Sequence, residues 1–158
     1  MRVESKRVRG VSSLRIFRAA DADAVMAIVA ESPEAAIWSG ESYVKLSEET
    51  GTLMLVSESD GVINGFLVAR IVGDQAEVLN LAVGSKHRRM GEGTALLAAA
   101  LEKFASTGGT SVYLEVRESN TGAIAFYERH GFAQTGRRKK YYRNPDEAAV
   151  TMEKKLAG

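Results

Sequence analysis

One segment of the chain, residues 78–97, has the sequence VLNLAVGSKHRRMGEGTALL. It begins as an apolar strand, passes through a loop that contains Arg88, Gly91 and Gly93, and continues directly as a helix. Glycines at these positions let successive backbone N–H groups turn inward, and a helix N-terminus adds about half a positive charge. The side chains of residues 86–89 supply cations on the same rim. The segment therefore predicts a loop that binds a pyrophosphate, with a further phosphate within reach.

Two common phosphate-binding motifs do not fit this spacing. A Walker A loop places Lys and Ser or Thr after its second glycine, whereas Gly93 is followed by Thr94 and Ala95. A Rossmann fingerprint has a third glycine three residues after the second, where this chain has Leu96. A glycine-rich helix start with incidental surface charge is the alternative interpretation.

The composition is that of one globular domain. The chain has 158 residues, of which 45% are apolar and 26% charged, and it has no Cys. These values are close to the globular average, and the missing Cys excludes disulfides, thiolate metal sites and a cysteine nucleophile. We expect a single domain over residues 14–158, preceded by a basic, flexible lead-in at residues 1–13.

Apolar runs are short throughout the sequence. None approaches the roughly 20 residues of a membrane span, and the first residues, MRVESKRVRG, lack the apolar stretch of a signal peptide. We therefore expect a cytoplasmic protein with no membrane partner.

The net charge of +1 conceals an uneven distribution. Residues 1–79 carry 8 Lys and Arg against 12 Asp and Glu, whereas residues 80–158 carry 13 against 8. The basic half is suited to an anionic ligand, and the acidic half to a cationic one. The alternative is that these charges lie on solvent-exposed faces and that the two halves differ in charge by chance.

Hydrophobic periodicity and turn residues predict the order β-α-α-β-β-β-α-β-α-β-β. The predicted strands are residues 14–18, 52–58, 62–72, 76–83, 111–116, 132–136 and 148–154, and the predicted helices are residues 22–32, 41–50, 94–105 and 121–129. Antiparallel strands come first and a strand-helix-strand crossover later, which is typical of an α/β or α+β domain with a mixed sheet.

Two motifs resemble the GCN5-related N-acetyltransferase (GNAT) superfamily. The first is Arg88-x-x-Gly91-x-Gly93 at the strand-to-helix turn, and the second is LEVRESNTGAIAFYERHGF at residues 114–132. The LEVR-x-SN start, with two Tyr close to a Pro, is most similar to the RimI-type ribosomal-protein-alanine N-acetyltransferases. The resemblance covers residues 77–152 and implies a mostly antiparallel sheet flanked by helices.

The resemblance also implies acetyl-CoA as donor, with direct transfer to an amine. A β-bulge near residues 81–83 would expose backbone donors to the thioester. The implied cofactor-binding residues are Leu81, Ala82, Val83, Arg88, Arg89, Met90, Gly91, Glu92, Gly93, Thr94, Asn120 and Tyr127. Asn120 is at the same time a candidate N-cap for the helix that follows it.

The same resemblance makes Tyr127 the acid that protonates the leaving thiolate and Glu115 the base. Because a fully solvated glutamate is a weak base, this role requires partial burial or a relaying water. Glu77 is the second candidate for the base and a candidate substrate-binding residue. Each of these side chains has a structural alternative: Tyr127 as a packing aromatic, and the glutamates as solvated strand charges.

A basic and aromatic cluster follows at residues 137–143. The resemblance makes Tyr141 and Tyr142 part of the wall over the acceptor, although Pro145 lies two residues further along than in the family. RNA contact and a solvated hairpin are the alternatives. Neither His87 nor His130 is accompanied by other residues at metal-ligand spacing, so we predict no metal site.

These observations predict an acetyl-CoA-dependent N-acetyltransferase that acts on a protein or peptide α-amine, with ribosomal proteins among the candidate acceptors. An enzyme for a small amine (a polyamine, an amino acid or an aminoglycoside) is one alternative, and a non-catalytic acyl-CoA-binding module is another. We expect a monomer or homodimer that does not bind nucleic acid.

Overall fold

A computed structural model describes residues 7–8, 12–32, 38–88, 91–142 and 146–156. The strands in these ranges are β1 (Arg7–Val8), β2 (Ser12–Ile16), β3 (Thr52–Ser59), β4 (Val62–Val72), β5 (Gln75–Val83), β6 (Ser111–Arg117), β7 (Ala133–Tyr142) and β8 (Glu147–Lys155). The helices are α1 (Ala22–Ala30), α2 (Gly40–Ser47), α3 (Glu92–Ser106) and α4 (Thr121–Arg129). The predicted order is confirmed, with the short β1 added in front.

All of these strands form one sheet in the order β1-β2-β3-β4-β5-β6-β8-β7. Neighbouring strands are antiparallel except for β5 and β6, which are parallel. A parallel pair needs a crossover connection, and α3 supplies it. The mixed, mostly antiparallel sheet is therefore as predicted.

The first of two apolar cores lies between the sheet and helices α3 and α4. Helix α3 turns Leu96, Leu97, Ala100 and Phe104 toward the sheet, and all four are buried. Their helical spacing produces the apolar stripe that packs α3 against β3, β4 and β5. At the other helix, Oδ1 of Asn120 accepts a 3.1 Å hydrogen bond from the N–H of Ala123, which is the predicted N-cap of α4.

The second core lies on the opposite face of the sheet, under α1 and α2. It contains Val25, Ile28 and Val29 from α1 and the fully buried ring of Tyr43 from α2. The Tyr43 hydroxyl accepts a 3.2 Å hydrogen bond from Nδ2 of Asn80 on β5. This bond satisfies a polar group that is buried against α2.

A bulge in β5 changes which side chains face each core. Val68 pairs with Asn80 but Ala69 pairs with Val78, so Leu79 is an extra residue in the ladder with β4. Leu79 packs against the second core, and the next residue, Asn80, turns to the same side and hydrogen-bonds to Tyr43, whereas regular alternation would place the two on opposite faces. The resemblance implied a bulge near residues 81–83, and the structure has it two residues before that range.

Some boundaries differ from those predicted. Helix α3 begins at Glu92 rather than at residue 94, and β7 continues to Tyr142 rather than ending at residue 136, because β7 still pairs with β8 there. The described part of the basic and aromatic cluster, residues 137–142, therefore lies on a strand. Residues 1–13 include β1, where Arg7 pairs with Ser13; the division of the chain at residue 13 stays a prediction.

Replacing Gly51 by Ala is expected to destabilise the fold by about 2 kcal/mol or more. Gly51 has a φ of +87°, and a Cβ there would lie 2.7 Å from the carbonyl oxygen of Ile71. That carbonyl belongs to β4, which is paired on both sides and does not move easily. Gly61 is the matched control, since its φ is +78° but no described atom lies within 4 Å of the added Cβ. Urea unfolding should give the larger loss for Gly51→Ala, and equal losses would contradict the steric explanation.

Candidate active site

The two parallel strands separate halfway along their length. The ladder between β5 and β6 covers only residues 75–78 and 111–114, although β5 continues to Val83 and β6 to Arg117. Beyond the ladder, β5 keeps its pairing with β4, and β6 keeps its pairing with β8. The sheet is therefore open between residues 79–83 and 115–117, with one apolar core on each side.

Backbone N–H groups of β5 face this opening. The N–H of Gly84 donates a 2.7 Å hydrogen bond to Asn64 at the start of β4. Because backbone groups alternate along a strand, Ala82 also turns its N–H toward β4, while Leu81 and Val83 turn theirs toward the opening. Of the three residues predicted to supply donors, Leu81 and Val83 are thus placed to do so.

The N-terminus of α3 adds further donors at the same end of the sheet. Gly91 is the N-cap, with a φ of +85°, and its carbonyl accepts the first helical bond, from the N–H of Ala95. The N–H groups of Gly93 and Thr94 precede that bond and have no acceptor within the helix. The side chain of Glu92 is turned inward and only 6% exposed. The two backbone N–H groups, and not the Glu92 carboxylate, are the kind of donors that suit an anion at a helix N-terminus.

Gly93 lies beside Phe126 of α4 and Val83 of β5, with room for ordinary van der Waals contact. A Cβ at this position would lie 3.6 Å from the ring of Phe126 and 3.7 Å from Val83. One residue further along, the Oγ1 of Thr94 lies 3.2 Å from Nε2 of His130. Arg89 and Met90, which were also predicted to bind the cofactor, lie outside the described residues.

Arg88 does not extend from the loop toward α3. Its guanidinium donates to the backbone carbonyls of Glu31, at 2.7 Å, and Val83, at 3.3 Å. Ser85 provides a second connection to the same residue: its hydroxyl donates a 2.7 Å hydrogen bond to the Glu31 carboxylate. These bonds hold the loop after β5 against the end of α1, and the hydroxyl bond from Ser85 keeps the pKa of Glu31 below its ordinary value.

Tyr127 lies on the α3 and α4 side of the sheet. Its side chain is 7% exposed and packs edge-on against the rings of Phe126 and Phe132, with centroid distances of 5.2 and 5.4 Å. A phenol is protonated at neutral pH already at its ordinary pKa, and burial raises the pKa of Tyr127 further. A protonated phenol can donate a proton.

Both candidate bases line one pocket on the α1 and α2 side. Val112 and Leu114 of β6 belong to the first core, so alternation turns Glu115 to the opposite face, and the same argument applies to Glu77 on β5. The pocket has a volume of about 350 Å³. Its other lining residues are Arg70, Val72, Gln75, Ala76, Tyr113, Leu114 and Thr151.

The two oxygens of Glu115 have different environments. Oε1 accepts a 3.0 Å hydrogen bond from Nη1 of Arg138. Oε2 is buried and has no hydrogen-bond partner among the described residues. The side chain as a whole is 20% exposed. Glu115 therefore presents one unsatisfied acceptor at the site.

Tyr141 and Tyr142 lie close to Glu115. Their rings meet edge-on at 5.1 Å, and the guanidinium of Arg117 lies 4.5 Å above the ring of Tyr142. Burial, together with the negative charge of Glu115, raises the pKa of Tyr142 to about 12. The structure thus brings the predicted acceptor wall and the predicted base together.

Arg138 was not singled out by the sequence as a contact of Glu115. Residues 115 and 138 lie on different strands, with β8 between them. The only signal was the basic cluster itself, which does not show which of its cations meets which carboxylate. In the structure, Arg137 pairs with Glu118 and Arg138 with Glu115, so these two cations are already neutralised.

Two negative findings apply to the part of the chain that the structure describes. It contains no group of three or more His, Asp or Glu side chains that could hold a metal ion. None of its helices combines the length and the apolarity needed to cross a membrane.

Comparison with known proteins relates this geometry to one family. Residues 20–132 match the acetyltransferase (GNAT) family. A [ribosomal protein bS18]-alanine N-acetyltransferase of Escherichia coli K12 is 32% identical over 117 residues, which cover 73% of this chain and 78% of that protein. An N-alpha-acetyltransferase of Sulfurisphaera tokodaii is 31% identical over 119 residues, covering 67% and 71%.

The structural comparison leads to the same family. The crystal structure of Ard1 from Thermoplasma volcanium superposes with a TM-score of 0.85 at 30% identity, covering 94% of this chain and 99% of that one. Because the family match covers well over half of the chain and includes both the loop before α3 and helix α4, the chain belongs to the acetyltransferase (GNAT) family of N-acetyltransferases.

Proposed function

We propose that this enzyme transfers an acetyl group from acetyl-CoA to the N-terminal α-amine of a protein or peptide. One observation carries the proposal. Glu115, with an unsatisfied acceptor, lies on one face of the sheet where β5 and β6 separate, and Tyr127 lies on the other face. A thioester between the separated strands would have a base on one side and an acid on the other.

The residues around the opening fit acetyl-CoA. The N–H groups of Leu81 and Val83 face the space that the pantetheine arm and the thioester carbonyl would occupy. Gly91, Gly93 and Thr94 offer the helix N-terminus to the pyrophosphate, and Asn120 begins the helix that carries Tyr127. We assign Arg88 a supporting role, since its guanidinium donates hydrogen bonds to the carbonyls of Val83 and Glu31 and so holds the loop after β5 in place.

The chemistry assigns one task to each group. Glu115 accepts a proton from the ammonium, directly or through a water, which frees the lone pair on nitrogen. The amine then attacks the thioester carbonyl, whose oxygen is polarised by the backbone donors of β5. As the C–N bond forms and the C–S bond breaks, Tyr127 gives its proton to the sulfur, and the second proton that the nitrogen loses returns through water to the Tyr127 phenolate. No covalent enzyme intermediate is needed.

The acceptor is proposed from the relatives and from the wall of the site. The E. coli relative acts on an alanine of ribosomal protein bS18, and the Sulfurisphaera relative is named for α-amine acetylation. Tyr141 and Tyr142 supply an aromatic surface beside Glu115 against which the first residues of a peptide could lie. A ribosomal protein is therefore among the proposed acceptors. A cytoplasmic location and a monomeric or homodimeric state stay predictions.

A panel of acceptors tests this proposal. Peptides with a free α-amine and varied first residues should gain one acetyl group by intact mass spectrometry. The same peptides with a blocked α-amine and a free lysine should gain none, and neither should polyamines, amino acids or aminoglycosides. Acetylation of the small amines alone would contradict the proposed acceptor. Tight CoA binding without thiol release on any amine would indicate a non-catalytic module.

A further inference from the structure

We propose that Arg138 is a positioning residue for Glu115. Its guanidinium holds Oε1 of the carboxylate, so that Oε2 is the oxygen presented to the acceptor amine. This inference rests on the proposed function, because it specifies how the base of that reaction is held. Arg138 lies on β7, and it reaches Glu115 across β8.

Three Arg–Glu pairs lie at this end of the sheet, and their carboxylates differ in one respect. Glu118 is paired through both oxygens with Arg137. Glu147 accepts from Arg117 at 3.3 Å with one oxygen and from the N–H of Ser119 at 2.5 Å with the other.

In Glu115, by contrast, one oxygen is bonded to Arg138 and the other is buried without a partner among the described residues. A buried acceptor without a donor costs free energy, which a ligand N–H at that point would recover. The first two pairs are thus complete ion pairs, whereas the third leaves an acceptor for a ligand.

The same guanidinium also contacts the aromatic wall. Its central carbon lies 4.2 Å above the ring of Tyr141, which is 45% exposed. Arg138 therefore fixes the base and the surface beside it relative to each other. A planar guanidinium can stack on a ring and hydrogen-bond in its plane at once, which an ammonium group cannot do.

This ion pair contributes little to the stability of the fold. The side chain of Arg138 is 57% exposed, and exposed ion pairs are worth little because solvent screens them. The residue can therefore be truncated with the fold intact. Loss of turnover in a folded variant would reflect the position of Glu115.

The test compares Arg138→Ala with Arg137→Ala, which removes the neighbouring cation from the same strand without touching Glu115. With acetyl-CoA saturating and a free-α-amine peptide as acceptor, kcat of Arg138→Ala should fall by roughly 10-fold, a part of the usual general-base contribution. Added guanidinium ion should restore a measurable part of that loss, and Arg138→Lys should recover only part of it. Arg137→Ala should keep the wild-type kcat and should not respond to guanidinium.

A double variant shows whether Arg138 acts through Glu115. Arg138→Ala should slow Glu115→Gln little or not at all, because the group being positioned has already lost its function. Additive losses, or a wild-type kcat for Arg138→Ala, would overturn the positioning role while leaving the proposed function intact. Full activity of Glu115→Gln would also overturn the positioning role, whereas only a wild-type enzyme that fails to acetylate the free-α-amine peptide would overturn the proposed function.

Discussion

Turnover of the Glu115→Gln variant should fall by about 10³-fold, within the range that general acid–base groups contribute. The amide keeps the size of the side chain and can still accept a hydrogen bond from Arg138, but it cannot take a proton from an ammonium group. The affinity for acetyl-CoA, measured by calorimetry, should remain within about twofold of the wild type, because Glu115 lies on the face of the sheet opposite α3 and α4.

Glu77→Gln is the matched control for this variant. Glu77 lines the same pocket but lies within the closed part of the β5–β6 ladder, where it pairs with Tyr113. It should retain most of the wild-type kcat. If Glu77→Gln loses about 10³-fold in kcat and Glu115→Gln does not, the base is Glu77, and Glu115 has no catalytic role as a base.

Tyr127→Phe should lower kcat by about 10²-fold while acetyl-CoA still binds with nearly wild-type affinity. In the proposed mechanism the phenol protonates the thiolate, and removing its hydroxyl leaves the ring that packs against Phe126 and Phe132. Steady-state release of free CoA thiol measures the first effect, and calorimetry with acetyl-CoA measures the second.

Tyr141→Phe serves as the control for Tyr127→Phe, because it removes a tyrosine hydroxyl on the acceptor side and leaves the ring over which Arg138 lies. We expect it to keep wild-type affinity for acetyl-CoA, so that calorimetry on this variant sets the reference for Tyr127→Phe. Parallel losses of turnover and of acetyl-CoA affinity in Tyr127→Phe would make that residue a packing aromatic, which is its structural alternative.

Much of the fold could be predicted because its signals are local. The Ser-Asp-Gly turn at residues 59–61 predicted the hairpin of β3 and β4, and Asn120 predicted the start of α4. The apolar spacing of α3 likewise predicted both the helix and the face that it buries. Each of these features depends only on residues that lie close together in the sequence.

Features that depend on distant strands could not be predicted from the residues themselves. Nothing in the apolar run around Leu79 marks it as the bulged residue, since the extra residue is defined only by the register with β4. The contact of Arg138 with Glu115 similarly requires β8 to enter the sheet between β6 and β7. The hydrogen bond of Arg88 to Glu31 could not be predicted either, because Glu31 lies at the end of α1, far away in the sequence; cofactor binding by Arg88 stays a prediction.

The proposed mechanism requires Glu115 and Tyr127 to act on one thioester across the opening between β5 and β6. A crystal structure with a bisubstrate conjugate, in which CoA is joined through an acetyl group to the α-amine of a peptide, would show whether they do. We predict that the conjugate passes between the separated strands. Its amine nitrogen should lie within hydrogen-bond reach of Oε2 of Glu115, directly or through one water, and its sulfur should lie beside the hydroxyl of Tyr127. A conjugate whose amine contacts Glu77 instead, or that bypasses the opening, would contradict this mechanism.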